Sequence, residues 1–181
     1  MKKRSMAILA AGFLATMPVV QVMADDVDAG ALPEALKAPA AQVLAVSARG
    51  VGVQIYECAV TKDDPKQFSW TLKAPEADLR DQSGKKLGKH YAGPTWEAID
   101  GSKVIADVVA RDNGPDAGAI PWLLLRTKST SGTGVFTAIL SIQRVHTTGG
   151  KAPASGCDQT QLGKEVRVPY TADYYFYAAR P

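Results

Sequence analysis

The chain has 181 residues, 46% of them hydrophobic and 22% charged, with two cysteines, two histidines and a formal net charge of +3. Residues 1–24 hold three of the 21 basic groups, Lys2, Lys3 and Arg4, and no acidic one, so the remainder carries 18 Lys plus Arg against 18 Asp plus Glu. That neutral balance excludes the inference that a basic sequence serves nucleic acid or an anionic membrane surface.

The N-terminus reads as a signal peptide over residues 1–24: Lys2, Lys3 and Arg4 are basic, residues 7–15 are apolar, and Val22, Met23 and Ala24 precede the polar Asp25 and Asp26. The protein is therefore expected to be exported, periplasmic or secreted. A membrane helix needs about 20 apolar residues; this run is shorter and no later segment comes closer, so no membrane span is expected in the mature chain. The 157 residues left after removing 24 from 181 suit one domain of roughly 100–200 residues.

Residues 25–40 are polar and punctuated by Pro33 and Pro39, which predicts an extended or poorly ordered lead-in, with one helical turn over residues 32–36. A single β domain is expected over 41–181. It begins with strands over 42–47 and 51–60, where Val53 and Ile55 alternate with Gln54, Tyr56 and Cys58. A charged turn at 62–66 leads to a half-buried strand in which Phe68, Trp70 and Leu72 alternate with polar residues until Pro75 closes it. A short strand over 77–81, a turn at 82–85 and a strand over 86–91 run into the break at Gly93 and Pro94.

Residues 95–111 form a hairpin around Asp100 and Gly101. A three-residue loop with Gly101 in the left-handed conformation puts Trp96 opposite Val104, Glu97 opposite Lys103 and Ala98 opposite Ser102. One face then carries Trp96, Ala98, Val104, Ala106, Val108 and Ala110. A two-residue turn would place Ala98 opposite Lys103 and mix charge into that face, so the three-residue loop is preferred. Residues 112–118 are a loop of turn formers, and the unbroken apolar run at 120–125 predicts a strand covered on both faces. A turn at 129–134, a long strand over 135–147, a crossing segment at 149–156 and strands over 166–170 and 174–178 complete the chain.

No stretch keeps a helical period and none repeats. The fold class is all-β, an antiparallel sandwich or closed barrel of roughly nine to ten strands. Cys58 and Cys157, an even pair in an oxidising compartment, are expected to form a disulfide.

The phrases at 48–58, 68–70, 73–77, 90–97, 121–124, 141–145, 151–153 and 174–177, among them His90-Tyr91-Ala92-Gly93-Pro94-Thr95-Trp96-Glu97 and Tyr174-Tyr175-Phe176-Tyr177, resemble the bacterial exported proteins grouped as domain of unknown function 3455. The resemblance covers almost all of the mature chain and implies export and a single domain. It brings no activity and no catalytic residues.

His90 and Glu97 are the candidate catalytic pair, since Gly93 and Pro94 reverse the chain between them and general acid–base chemistry needs two titratable groups within reach of one substrate. Against this, the chosen register already gives Glu97 a partner in Lys103. Two histidines distant in sequence, His90 and His146, offer no ligand spacing even with Glu97 and Asp107 added, so no metal and no cofactor is expected. Ser131-Gly132-Thr133-Gly134 is a hairpin turn, since it matches neither a nucleophile elbow nor a phosphate loop. Tyr91, Trp96, Trp122, Arg144, His146, Tyr175 and Tyr177 are the ligand-binding candidates, and consecutive aromatics in a strand must point to both faces. The function expected is non-enzymatic binding of a small molecule, glycan or envelope-protein partner; the alternative is an envelope hydrolase or other enzyme using His90 and Glu97.

Overall fold

The computed structural model describes residues 32–181. The signal peptide and the first part of the lead-in lie outside the described residues. Eight strands follow in chain order: β1 (Gln42–Val60), β2 (Phe68–Arg80), β3 (Lys86–Tyr91), β4 (Thr95–Ala98), β5 (Lys103–Asp112), β6 (Trp122–Ser131), β7 (Ile139–Gly149) and β8 (Glu165–Ala179). Each pairs antiparallel with the next and β8 returns to β1, so of the two architectures open to the sequence the chain forms a closed barrel.

The strand number falls from nine or ten to eight because residues that punctuate a sequence are here built into strands. Gly50 and Gly52 lie within β1, where the barrel packs too tightly for a side chain: a Cβ on Gly50 would sit 2.6 Å from the ring of Tyr174, and one on Gly52 would sit 2.1 Å from the Glu76 carbonyl oxygen. Pro75 stands in β2 opposite Gln54, beyond Ala77, the last β2 residue to pair with β3. Its missing N–H is tolerated where the strand has a neighbour on one side alone. Residues 171–173 continue β8 between the two segments expected there, held by pairing with β1.

The hairpin register is as expected, with Trp96 opposite Val104 and Glu97 opposite Lys103. Ala98 N–H donates to Ser102 O at 2.9 Å, Gly101 N–H donates to Ala98 O at 3.0 Å, and Gly101 has φ 85°. Trp96, Ala98, Val104 and Ala106 are buried along one face. The face changes after Val108. Val108 stands opposite Leu125 and Ala110 opposite Leu124, with Val109 unpaired between them, and this extra residue turns Ala110 to the outside of the barrel.

Two further departures shape the ends of the barrel. β7 begins at Ile139 and not near 135, because residues 132–138 fold across one end and drop Phe136 into it, fully buried. That loop is tied down by Asp100, which accepts from Ser102 N–H at 2.9 Å and from Val135 N–H at 2.9 Å, and by Ser102 Oγ, which accepts from Phe136 N–H at 3.1 Å. The lead-in is also more ordered than expected over its described part. Its 3₁₀ turn, Glu34–Leu36, buries Leu36 completely among Leu32, Trp122, Leu124 and Val145 on the outside of β6 and β7. This supplies the second cover that lets residues 122–125 be apolar on both faces, and Gln143 donates to Leu36 O at 2.6 Å to hold it there.

Cys58 and Cys157 are bonded, with Cα atoms 5.4 Å apart, and the bridge joins the end of β1 to the segment between β7 and β8. Closing a 99-residue separation stabilises the fold by about 4–5 kcal/mol in the chain-entropy treatment. Native protein should therefore resist thiol labelling and lose urea stability on that scale after reduction; two thiols labelled without reductant would contradict it. Gly101 gives a second test, since a Cβ there meets nothing within 4 Å and backbone strain alone is probed. Gly101→Val should cost about 1–3 kcal/mol and Gly101→Asn clearly less. Equal urea midpoints for the two variants would remove the left-handed turn as the cause.

Candidate functional site at the open end of the barrel

An eight-stranded ring has an interior that side chains just fill or that holds one small ligand. Here one end is filled by aromatic rings. Phe136 and Phe176 lie 4.6 Å apart by ring centroid, Trp96 meets Phe176 edge-on at 6.3 Å and Tyr174 at 5.8 Å, and His90 stacks on Trp96 at 4.3 Å with the planes 11° apart. Past His90 the filling stops. β3 and β4 are short and turn back at residues 92–94, while β2 and β5 run on without them, which notches the wall between Leu72–Pro75 on one side and Val108–Arg111 on the other. The space behind the notch is a cavity of about 270 Å³.

The floor of the cavity is His90 and Trp96, its walls are largely apolar, with Leu123, Leu125, Val108 and Leu72, and its polar groups are Gln54, Arg111 and Arg144. Arg144 projects inward from β7 between Leu123 of β6 and Tyr174 of β8. Its Nε and Nη2 both donate to Pro121 O, at 3.1 and 2.8 Å, and no carboxylate pairs with it among the described residues. Gln54 is 2% exposed, and its Nε2 has no hydrogen-bond partner.

His90 is buried, with Nδ1 2.8 Å from Thr95 O. A carbonyl oxygen only accepts, so Nδ1 carries the hydrogen and Nε2 is the acceptor end of a neutral ring. Burial pushes the imidazole down to about 3, and the charge of Arg144 acts in the same direction against the bond to Thr95. Tyr170 and Tyr174, whose hydroxyls lie 3.2 Å apart beneath Arg144, are held in the neutral form by burial.

The sequence candidates divide by the wall of the barrel. His90, Trp96 and Arg144 line the cavity. Glu97 and Tyr91 stand on the outer surface, where Tyr91 donates to Glu97 at 2.8 Å and Lys89 and Lys103 each approach the same carboxylate at 3.5 Å. The tyrosine hydrogen bond first, then the Lys103 and Lys89 charges, hold Glu97 below the usual carboxylate range. His90 and Glu97 thus occupy opposite faces of one hairpin and share no substrate space. Trp122, His146, Tyr175 and Tyr177 lie on the outer side, near the lead-in: Trp122 meets His146 edge-on at 5.3 Å, His146 contacts Asp173 at 3.0 Å, and Tyr177 donates to Gln143 at 2.6 Å. Tyr174 and Phe176 are the inward pair of the aromatic run.

Gln54 and Arg111 were missed as site residues. Gln54 shares the phase of Tyr56 and Cys58, both buried, so the inward face of β1 was marked by its cysteine and not by Val53 and Ile55. Arg111 carried no signal before the bulge at Val109 was known, since that bulge is what puts Arg111 opposite the inward Leu123. Among the described residues no group of three or more His, Cys, Asp or Glu is placed to hold a metal ion, and no helix is long and apolar enough to cross a membrane.

These features define a cup-shaped antiparallel barrel, plugged by Phe136 at one end and opening at the other onto a cationic, mainly apolar cavity. The chain belongs to the family described as protein of unknown function (DUF3455), which matches residues 39–178. Neither the curated proteins nor the solved structures contain a match.

The buried imidazole gives a pH test. Native His90 refuses a proton down to about 3, whereas in the unfolded chain it titrates near about 6.5. Its contribution is therefore fully present above about 6.5 and is lost as pH falls toward 3, by up to about 1.4 kcal/mol per unit. Urea stability should fall between pH 6.5 and 5 in a His146→Gln background, and His90→Gln added to it should flatten the slope. Equal slopes would show that His90 is protonated in the native state.

Proposed function

We propose that the protein is an exported receptor that takes a small molecule into the open end of the barrel and performs no chemistry on it. The observation that carries this reading is the cavity itself, an apolar chamber bordered by a buried amide with an unspent N–H and by a guanidinium without a countercharge. Buried polar groups are almost always satisfied, and an exception at a concave apolar site calls for a missing partner. Export rests on the basic and apolar leader at residues 1–24 and agrees with a disulfide that needs an oxidising compartment.

A small molecule fits better than a glycan chain or an envelope protein. Clefts for drug-sized ligands span about 300–1,000 Å³, so 270 Å³ suits something smaller. Exposed apolar residues such as Val51, Ile99 and Leu162 belong to separate strands and turns, which is ordinary for a surface and makes no docking patch. The opposed placement of His90 and Glu97 counts against an enzyme built on that pair.

Screening of purified protein against sugars, lipids, small acids and metals by thermal shift tests the reading. A ligand at 100 times its Kd adds about 2.7 kcal/mol, which at about 2–4 °C per kcal/mol raises Tm by roughly 5–10 °C. Val108→Trp, which fills the mouth of the cavity, should abolish that rise, and Glu97→Gln should leave it intact. Ligand stabilisation lost in Glu97→Gln and kept in Val108→Trp would move the site to the outer wall and restore the enzyme alternative.

A further inference from the structure

The groups bordering the cavity are unevenly matched. Arg144 uses two of its five N–H donors on Pro121 O. Gln54 adds an unsatisfied N–H, and Arg111 stands at the mouth on the inward side of β5. Lys73, also at the mouth, is already held by Glu57 at 2.8 Å and Glu165 at 2.6 Å on the outer surface. Neither Arg111 nor Arg144 has an acidic partner within salt-bridge distance among the described residues, and no Asp or Glu lines the cavity. Donors and positive charge therefore converge on a space whose other walls are hydrocarbon.

We propose that the ligand is a small carboxylate with a flat apolar body, its carboxylate on Arg144 and Gln54 and its body against Trp96, Leu123 and Leu125. This rests on the receptor reading above and names its ligand class. A guanidinium matches a carboxylate as a two-point fork, and in a half-buried setting the pair is screened little by salt. Size limits the body, since a dry cavity of about 150 Å³ accepts one benzene ring and the 270 Å³ here leaves room for a ring plus its acid group. The same dimensions disfavour a long acyl chain. A phosphate of two negative charges would leave the apolar walls unused, which favours the carboxylate. Arg111 at the mouth draws the anion in without holding it.

Calorimetric titration of the purified protein with benzoate, benzamide and inorganic phosphate separates these terms. Benzoate should bind at least tenfold more tightly than benzamide, which keeps the ring and the size and lacks the charge. Arg144→Gln should weaken benzoate at least tenfold and benzamide little, Gln54→Leu should weaken benzoate several-fold, and Arg111→Gln should act chiefly on the association rate. If Arg144→Gln does not fold, by circular dichroism, the benzoate-to-benzamide ratio in wild type and the Gln54→Leu variant still decide the matter. Equal binding of benzoate and benzamide, both blocked by Val108→Trp, would overturn the anion and keep the receptor. Phosphate bound with benzoate excluded would overturn the apolar body, and no binding of any of the three, with none found in the wider screen, would overturn both.

Discussion

Closing eight strands into one ring leaves a column that must be filled from inside, and the stack of Trp96 on His90 is the contact on which that filling turns. Trp96 reaches the axis because the Ile99-Asp100-Gly101 loop pairs it with Val104, and His90 lies directly across the β3–β4 pair from it. Tyr174 and Phe176 close on the stack from β8, and β1 yields space for Tyr174 by having no side chain at Gly50. Every large ring of the interior is thereby placed toward the end that Phe136 seals. The hairpin that delivers Trp96 and His90 is also the shortest in the barrel, so the element that completes the packing at one end leaves the wall incomplete at the other.

The hairpin was legible because its signals agree: turn residues, alternation and charge pairing all select one register. The disulfide was legible from compartment and count. Features that depend on a distant neighbour were not. Gly50 reads as a break, although what it does is admit a ring from β8, 124 residues away. Pro75 reads as a strand end, although its strand continues along an edge that β3 leaves unpaired. Val108 and Ala110 share an apolar alternation that a single unpaired residue, Val109, splits between inside and outside. The site was half legible. Trp96, Arg144 and His90 were chosen for their chemistry and do meet, whereas Glu97, Tyr91, Trp122, His146, Tyr175 and Tyr177 were chosen on the same grounds and are turned outward by strand parity or covered by the lead-in.

The electrostatics of the cavity follow from the same geometry. Arg144 is carried inward by its position on β7 next to Tyr174, and the Pro121 carbonyl accepts two of its N–H groups without cancelling its charge. That charge is one reason why His90 stays neutral, after burial itself. A neutral imidazole whose donor end is committed to Thr95 cannot serve as a second cation, so positive charge is concentrated on the arginines and direction is given to the site. An anion resting on Arg144 would offset the field at His90, and by reciprocity a ligand that favours the imidazolium would bind more tightly as pH falls.

The two ends of the barrel therefore differ in what they contribute. At the plugged end the hydrogen bonds of Asp100 and Ser102 satisfy the backbone of the loop that carries Phe136, and the rings pack without a cavity between them. At the open end Gln54 keeps an unspent N–H, a cation lacks its countercharge, and apolar Leu72 and Val108 remain about half exposed. A chain selected for stability alone would fill that space, for filling a mouth between two fixed strands needs only larger side chains at such positions. That the larger residues are all at one end, while the polar groups at the other are left in want of a partner, is the arrangement expected of a scaffold whose stability is built at the plug so that the cup can stay empty until it is occupied.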